Sequence, residues 1–153
     1  MRLEFRNKAA IIKNYRWKMQ DRIEKLCVEK GLRMTEQRRI IARVLSQSSD
    51  HPDVEELHKR ASALDKRISI ATVYRTVHLL SESGIVERHD FRDGRSRYEE
   101  LGTDHHDHLI DMRTGKVLEF SDPRIEELQR EIAKQMGFEL VDHRMELYGI
   151  PLK

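Results

Sequence analysis

Cysteine is almost absent from this chain: Cys27 is the single thiol among 153 residues. It cannot form an internal disulfide, and it excludes any zinc site built from several thiolates of one chain. Long apolar runs are absent too. No stretch approaches the roughly 18 to 20 residues of a membrane span, and the basic, semi-apolar start, MRLEFRNKAAIIKNYRWKMQ, lacks the continuous apolar core and cleavage site of a secretory leader. A cytoplasmic location is the expectation. There is no internal repeat and no low-complexity tract, and HExxH and an obvious nucleophile are missing, which disfavours a metallohydrolase.

What is present is charge, at 37% of residues, unevenly placed. Residues 1–97 carry 22 Lys/Arg against 14 Asp/Glu, a net of +8, and residues 98–153 carry 7 against 13, a net of −6. A basic front suggests a polyanion partner. An acidic back half that also holds His105-His106-Asp107-His108 suggests cations.

The front half reads as helices. Ile12, Tyr15, Met19, Ile23 and Leu26 recur at helical spacing and predict a helix over about 5–30, closed by Gly31. Thr35 caps a second helix running to about Ser46, with Ile40, Ile41, Val44 and Leu45 inward and Arg38, Arg39 and Arg43 outward. Asp53 and Glu56 form a capping-box-like start for a third, which buries Val54, Leu57, Ala61 and Leu64. Ser69 caps a fourth, with Ile70, Val73, Val77 and Leu80 as its core stripe. Its outward set, Ala71, Thr72, Tyr74, Arg75 and His78, has no acid. A hairpin follows over 85–91 and 96–100, turning at Arg92-Asp93-Gly94-Arg95.

These elements predict a winged helix-turn-helix over 19–100, with 1–18 as an extension, either a helical arm or a disordered leader. After a hinge at 101–104, residues 105–153 read as β-β-α-β: strands 107–112 and 116–120, a helix opened by Asp122-Pro123 that buries Ile125, Leu128, Ile132 and Met136, and a last strand over about 138–148. The fold class is α+β. The second unit has too few residues for a secure core, so pairing with another copy is expected.

In the DNA reading, the fourth helix enters a major groove. Thr72, Tyr74 and Arg75 face base edges, since Arg forks onto guanine and Tyr packs on thymine methyls. Arg33 suits a minor groove, and Arg95, Arg97, Arg38 and Arg39 suit phosphates. In the metal reading, strand alternation puts Asp107 and His108 on opposite faces, with His106 on the His108 side, so the run serves two sites. Glu119, His51 and Glu99 are candidates to complete one, and Glu126 and His143 the other. Such nitrogen/oxygen sets suit Fe²⁺, Mn²⁺, Co²⁺, Ni²⁺ or Zn²⁺. His58, His78 and His89 read as ordinary surface histidines.

The segments Thr35-Glu36-Gln37-Arg38-Arg39, ISIATVYRTVHLL (68–80), Arg97-Tyr98-Glu99, HHDHLI (105–110), GKVLEF (115–120) and DHRMELYGIP (142–151) together resemble the ferric uptake regulator superfamily, most of all its Fur/Mur branch of alphaproteobacteria. The resemblance spans about residues 20–152. It implies a homodimeric, or tetrameric, metal-dependent repressor that binds a palindromic A/T-rich DNA operator when loaded with Fe²⁺ or Mn²⁺, with Zn²⁺ or Co²⁺ able to substitute in vitro. Carried over by residue, it implies a regulatory site of His51, Glu99, His108 and Glu119 and a second site of His105, Asp107, Glu126 and His143. His106 takes no clear assignment. It also implies base contacts at Arg33, Tyr74 and Arg75. Where most such proteins have Cys-x-x-Cys, this chain has Asp111-Met112-Arg113-Thr114, so no Cys₄ structural zinc is expected. Glu119 disfavours the peroxide-sensing relatives, which usually have Asp there. The alternatives are a haem-responsive regulator, a metal-dependent nucleic-acid hydrolase, and a metal-storing or architectural protein.

Overall fold

The computed structural model describes residues 22–102 and 105–152, in two units divided between Leu101 and Gly102. The part of the first expected helix that precedes residue 22, and the extension 1–18, lie outside the described residues.

The first unit runs α1 (22–29), α2 (Glu36–Gln47), α3 (Val54–Leu64), α4 (Ile70–Glu82), β1 (Val86–Asp90) and β2 (Ser96–Glu100). Three of its helices start on side-chain caps. Asp53 accepts from the Glu56 amide at 2.8 Å, Ser69 from Thr72 at 3.2 Å, and Thr35 from Arg38 at 3.3 Å. Each cap satisfies an amide that the first helical turn leaves open. The apolar stripes meet in one core of Ile23, Cys27, Ile41, Leu45, Leu57, Ala61, Ile68, Val73, Val77, Leu80 and Ile85. Cys27 is fully buried. Burial, with Glu24 nearby, pushes its thiol up, which keeps it protonated and inert.

Two expected core positions are open instead: Leu64 is 64% and Ile70 47% exposed. Each is the end residue of its helix, where no further turn continues the stripe over a neighbour. After α4 the chain reverses at Gly84 (φ 65°), and the Ile85 amide donates to the Leu80 carbonyl at 2.9 Å. This C-terminal closure aims β1 back along the unit. β1 and β2 pair antiparallel, with His89 opposite Arg97 and Glu87 opposite Glu99. Leu80→Ala removes a side chain that is 1% exposed and is expected to cost about 2–5 kcal/mol. Urea denaturation monitored by circular dichroism checks this.

The second unit runs β3 (Asp107–Asp111), β4 (Val117–Phe120), α5 (Pro123–Gln135) and β5 (Glu146–Gly149). The sheet order is β4-β3-β5. β4 is antiparallel to β3, and β5 is parallel to it through the α5 crossover. At the tight turn from β3 to β4, Asp111 accepts from the Arg113 amide at 2.8 Å and the Thr114 hydroxyl at 2.7 Å. α5 starts with Pro123 behind the Asp122 cap.

Two expectations for this unit are corrected. The last strand is four residues long rather than about eleven, because β3 offers only His108–Asp111 to pair with it. Residues 138–145 lie beyond that ladder. And α5 buries none of its residues: Leu128 is 55%, Ile132 48% and Met136 70% exposed. The stripe is where the periodicity puts it, but nothing in the same unit covers it.

Candidate metal centre and DNA-reading face

The clearest candidate cation site lies within the second unit. Asp107 opens the central strand β3 and points inward, 1% exposed. Neither carboxylate oxygen has a hydrogen-bond donor, and Glu126 Oε1 on α5 is buried without one as well. Around them stand His105, just before β3, and His143, in the irregular stretch before β5. His105 Nε2 lies 3.5 Å from Asp107 Oδ1 and 3.6 Å from Glu126 Oε1, and His143 Nε2 is 3.5 Å from both oxygens. The two Nε2 atoms approach each other to 2.8 Å. One ligand atom from each of the four residues falls within 4.8 Å of the rest.

A buried carboxylate without a partner is costly. Ligands at about 2.0–2.2 Å from one ion stand roughly 3–3.6 Å apart; the four nitrogen–oxygen separations of 3.5–3.6 Å fall in that range, and the two imidazole nitrogens are slightly closer. The donor set of two imidazoles and two carboxylates therefore fits a divalent transition metal. The four residues are those expected to form the second site.

The expected regulatory residues fall in both units. In the first, His51 is 7% exposed, and its Nε2 lies 2.5 Å from Glu99 Oε2 on β2. The other oxygen of Glu99 is held by His89 Nε2 at 2.6 Å. Burial alone works to raise the Glu99 carboxyl, but the hydrogen bonds from His51 and His89 and their charge hold it well below the ordinary carboxylate range. In the second unit His108 is 4% exposed and sits directly across the ladder from Glu119. The His106 ring packs edge-on to His108, with centroids 5.0 Å apart, and its Nε2 is 4.0 Å from Glu119 Oε1. His106, without an assignment from sequence, thus joins the His108–Glu119 group.

His89 corrects the sequence reading: it is 3% exposed, not a surface histidine. The hairpin carries the reason: five residues, 91–95, connect its strands, one more than the expected turn, and pairing Asp90 with Ser96 puts position 89 diagonal to position 99 on one face. His58 is half-buried against the Ile68 carbonyl at 3.1 Å, and His78 is a surface residue beside Glu82.

On α4, Ala71, Tyr74, Arg75 and His78 are exposed, as expected of a reading face. Thr72 is half-buried, and its hydroxyl meets Ser69 at 3.0 Å and Arg75 at 3.4 Å. Arg33 is exposed, and its carbonyl accepts from Arg38 Nη1 at 2.6 Å. Arg39 is engaged by Glu24 at 2.6 Å. Arg95 stays exposed at the wing, 3.7 Å from Asp53. Arg97 is a correction. It is 6% exposed, forks onto Asp93 at 3.1 and 2.5 Å, and lies 5.7 Å from the Phe91 ring. It braces the wing turn from inside, and its guanidinium is turned to Asp93 and Phe91 where a solvated surface charge was expected.

A winged helix with a basic, acid-free reading face, in one chain with a cluster of imidazoles and carboxylates that fits a divalent cation, defines a metal-responsive DNA-binding regulator. The chain belongs to the ferric uptake regulator family, whose sequence model matches residues 29–148. It is 64% identical over 131 residues to the ferric uptake regulation protein of Rhizobium leguminosarum, covering 86% of this chain and 92% of that one. Among solved structures, a zinc-bound manganese uptake regulator superposes with a TM-score of 0.78 at 62% identity, covering 86% of this chain and 99% of that chain. The Helicobacter pylori ferric uptake regulator, described as having three functional metal binding sites, gives a TM-score of 0.78 at 30% identity, covering 89% and 91%. These relatives are named as regulators, not enzymes. Among the described residues, no helix is long and apolar enough to cross a membrane.

Proposed function

We propose that this protein is a repressor that binds a palindromic, A/T-rich operator when loaded with Mn²⁺ or Fe²⁺, and so controls genes of manganese or iron homeostasis. The observation that carries the reading is the buried Asp107 carboxylate, without a donor and facing two imidazole nitrogens and Glu126. That arrangement asks for a cation. The names of the similar proteins point to iron and manganese uptake.

In this reading His51 and Glu99 from the first unit, and His108 and Glu119 from the second, hold one regulatory cation, with His106 beside them. His105, Asp107, Glu126 and His143 hold another. A bound divalent ion supplies positive charge and a preferred ligand geometry, nothing more. The residues do the rest: ligands placed on either side of the 101–104 hinge fix the angle between winged helix and second unit. Zn²⁺ or Co²⁺ substitutes in vitro, as affinity order favours both over Fe²⁺ and Mn²⁺, and no Cys₄ zinc is needed. Two copies pair through the apolar face of α5, whose Leu128, Ile132 and Met136 are otherwise left in water. Pairing presents two α4 helices to successive major grooves, where Tyr74, Arg75 and Thr72 read bases, Arg33 reaches the minor groove, and Arg95 meets phosphate.

An anaerobic titration of a labelled A/T-rich palindrome with protein and Mn²⁺, Fe²⁺ or Zn²⁺ tests this. Metal is expected to tighten binding by roughly 5–150-fold, with the DNA shifted and uncut. Cut DNA, or binding indifferent to metal and to sequence, overturns the reading.

A further inference from the structure

We propose that His89 is a positioning residue for the regulatory cation: it pins one oxygen of Glu99 so that only the other is presented, beside His51. The inference rests on the reading of His51 and Glu99 as ligands given above.

The geometry starts in the hairpin. β1 and β2 place Glu87 across from Glu99 and His89 across from Arg97, so His89 reaches Glu99 diagonally on the shared face. Its Nε2 meets Glu99 Oε1 at 2.6 Å, while His51 Nε2 meets Oε2 at 2.5 Å. Each oxygen thus has its own imidazole.

The His89 ring is locked in place. It stacks on Phe91 with centroids 5.5 Å apart and planes 5° from parallel, and it sits edge-on to His51 at 6.0 Å. Phe91 is itself 3% exposed and covered by the Arg97 guanidinium, which Asp93 clamps. A ring held by stacking and burial cannot swing to follow a cation. It therefore keeps donating to Oε1 when a cation arrives at Oε2 and the His51 nitrogen. Glu99 then binds through one oxygen and takes one coordination position, not two, leaving the others for the ligands of the second unit. An outer partner that orients a ligating carboxylate is typically worth 10–100-fold in metal affinity.

The alternative is that His89 is itself a ligand, since Glu87, His89 and Glu99 also offer atoms within 4.8 Å of one another. The two roles separate experimentally in the full-length protein. Mn²⁺ titrations followed by electron paramagnetic resonance compare wild type with His51→Ala, His89→Phe and His89→Gln. His51→Ala is expected to abolish one class of Mn²⁺ site. His89→Phe, which keeps the stack on Phe91 but loses the donor, is expected to weaken that same class 10–100-fold and change its bound spectrum. His89→Gln restores an N–H donor and most of the affinity.

The wild-type protein supplies a second measurement that needs no variant to fold. With Cd²⁺ as probe, the ¹⁵N spectrum of His51 is expected to couple to cadmium, while His89 keeps a protonated, uncoupled Nε2. Unchanged Mn²⁺ affinity in a folded His89→Phe, or cadmium coupling at His89, overturns the positioning role. If His51→Ala also leaves every Mn²⁺ site intact, it is the ligand assignment that has failed, and the two failures are told apart.

Discussion

His108→Ala is expected to abolish the metal-induced gain in operator affinity while leaving metal-free DNA binding unchanged. His108 lies 4% exposed in the central strand of the second unit, with Glu119 across one ladder and Glu146 across the other. The reading face of α4 belongs to the first unit and His108 to the second; in the proposed reading His108 acts on DNA affinity through the regulatory cation. Allosteric coupling of this kind is usually about 1–3 kcal/mol, or 5–150-fold, and the variant forfeits the whole of it. Reciprocity sharpens the test. In the wild type, operator DNA must raise Mn²⁺ affinity by the same factor that Mn²⁺ raises DNA affinity. In His108→Ala both factors fall to one. Fluorescence anisotropy measures the first and Mn²⁺ titration with and without DNA the second, both at one fixed salt concentration because phosphate contacts make affinity steeply salt-dependent. A variant that keeps a metal-dependent gain of wild-type size removes His108 from the switch.

What the chain made legible, and what it hid, follows from the range of the interactions involved. α2, α3 and α4 were readable because their caps and stripes are local. Thr35, Asp53 and Ser69 each cap within three residues, and Val73, Val77 and Leu80 repeat at helical spacing. The opposition of Asp107 and His108 was readable for the same reason, as alternation along β3 is a property of the strand alone, while His105 and His106 precede the strand. His105 and Asp107 do converge with Glu126 and His143. Arg97 and His89 misled because their fate is set across the hairpin. An arginine next to a turn looks like a phosphate contact until Asp93 is seen to clamp it, and a histidine looks solvated until Glu99 and Phe91 are seen beside it. The α5 stripe misled in another way. Periodicity reports that a face will be covered, and it is silent on whether the cover belongs to the same chain. The last strand is shorter than its composition suggests: Leu140, Val141 and Met145 extend the apolar pattern, whereas pairing is limited by the length of β3.

The second unit carries the other large effect, and it has opposite signs with and without metal. Without a cation, both Asp107 carboxylate oxygens stay buried with no hydrogen-bond donor, which costs stability. In the proposed reading a cation takes the same carboxylate as a ligand. Asp107→Asn keeps the size and removes the charge. It is therefore expected to leave the metal-free protein as stable as wild type or more so, and to abolish the stabilisation that metal gives at this site. The comparison is cleanest in a His108→Ala background, where the regulatory cation is already lost. Binding to the native state alone contributes RT ln(1 + [L]/Kd), about 2.7 kcal/mol at a hundredfold excess over Kd. For a small domain that is a rise in melting temperature on the order of 10 °C. Thermal melts of His108→Ala and His108→Ala/Asp107→Asn, each with chelator and with excess Mn²⁺, read both signs in one experiment. If Asp107 is only a structural acid, the asparagine variant melts lower without metal and still gains from Mn²⁺ as its parent does. If it is the ligand that its burial and neighbours indicate, the ordering without metal reverses or levels and the Mn²⁺ gain disappears.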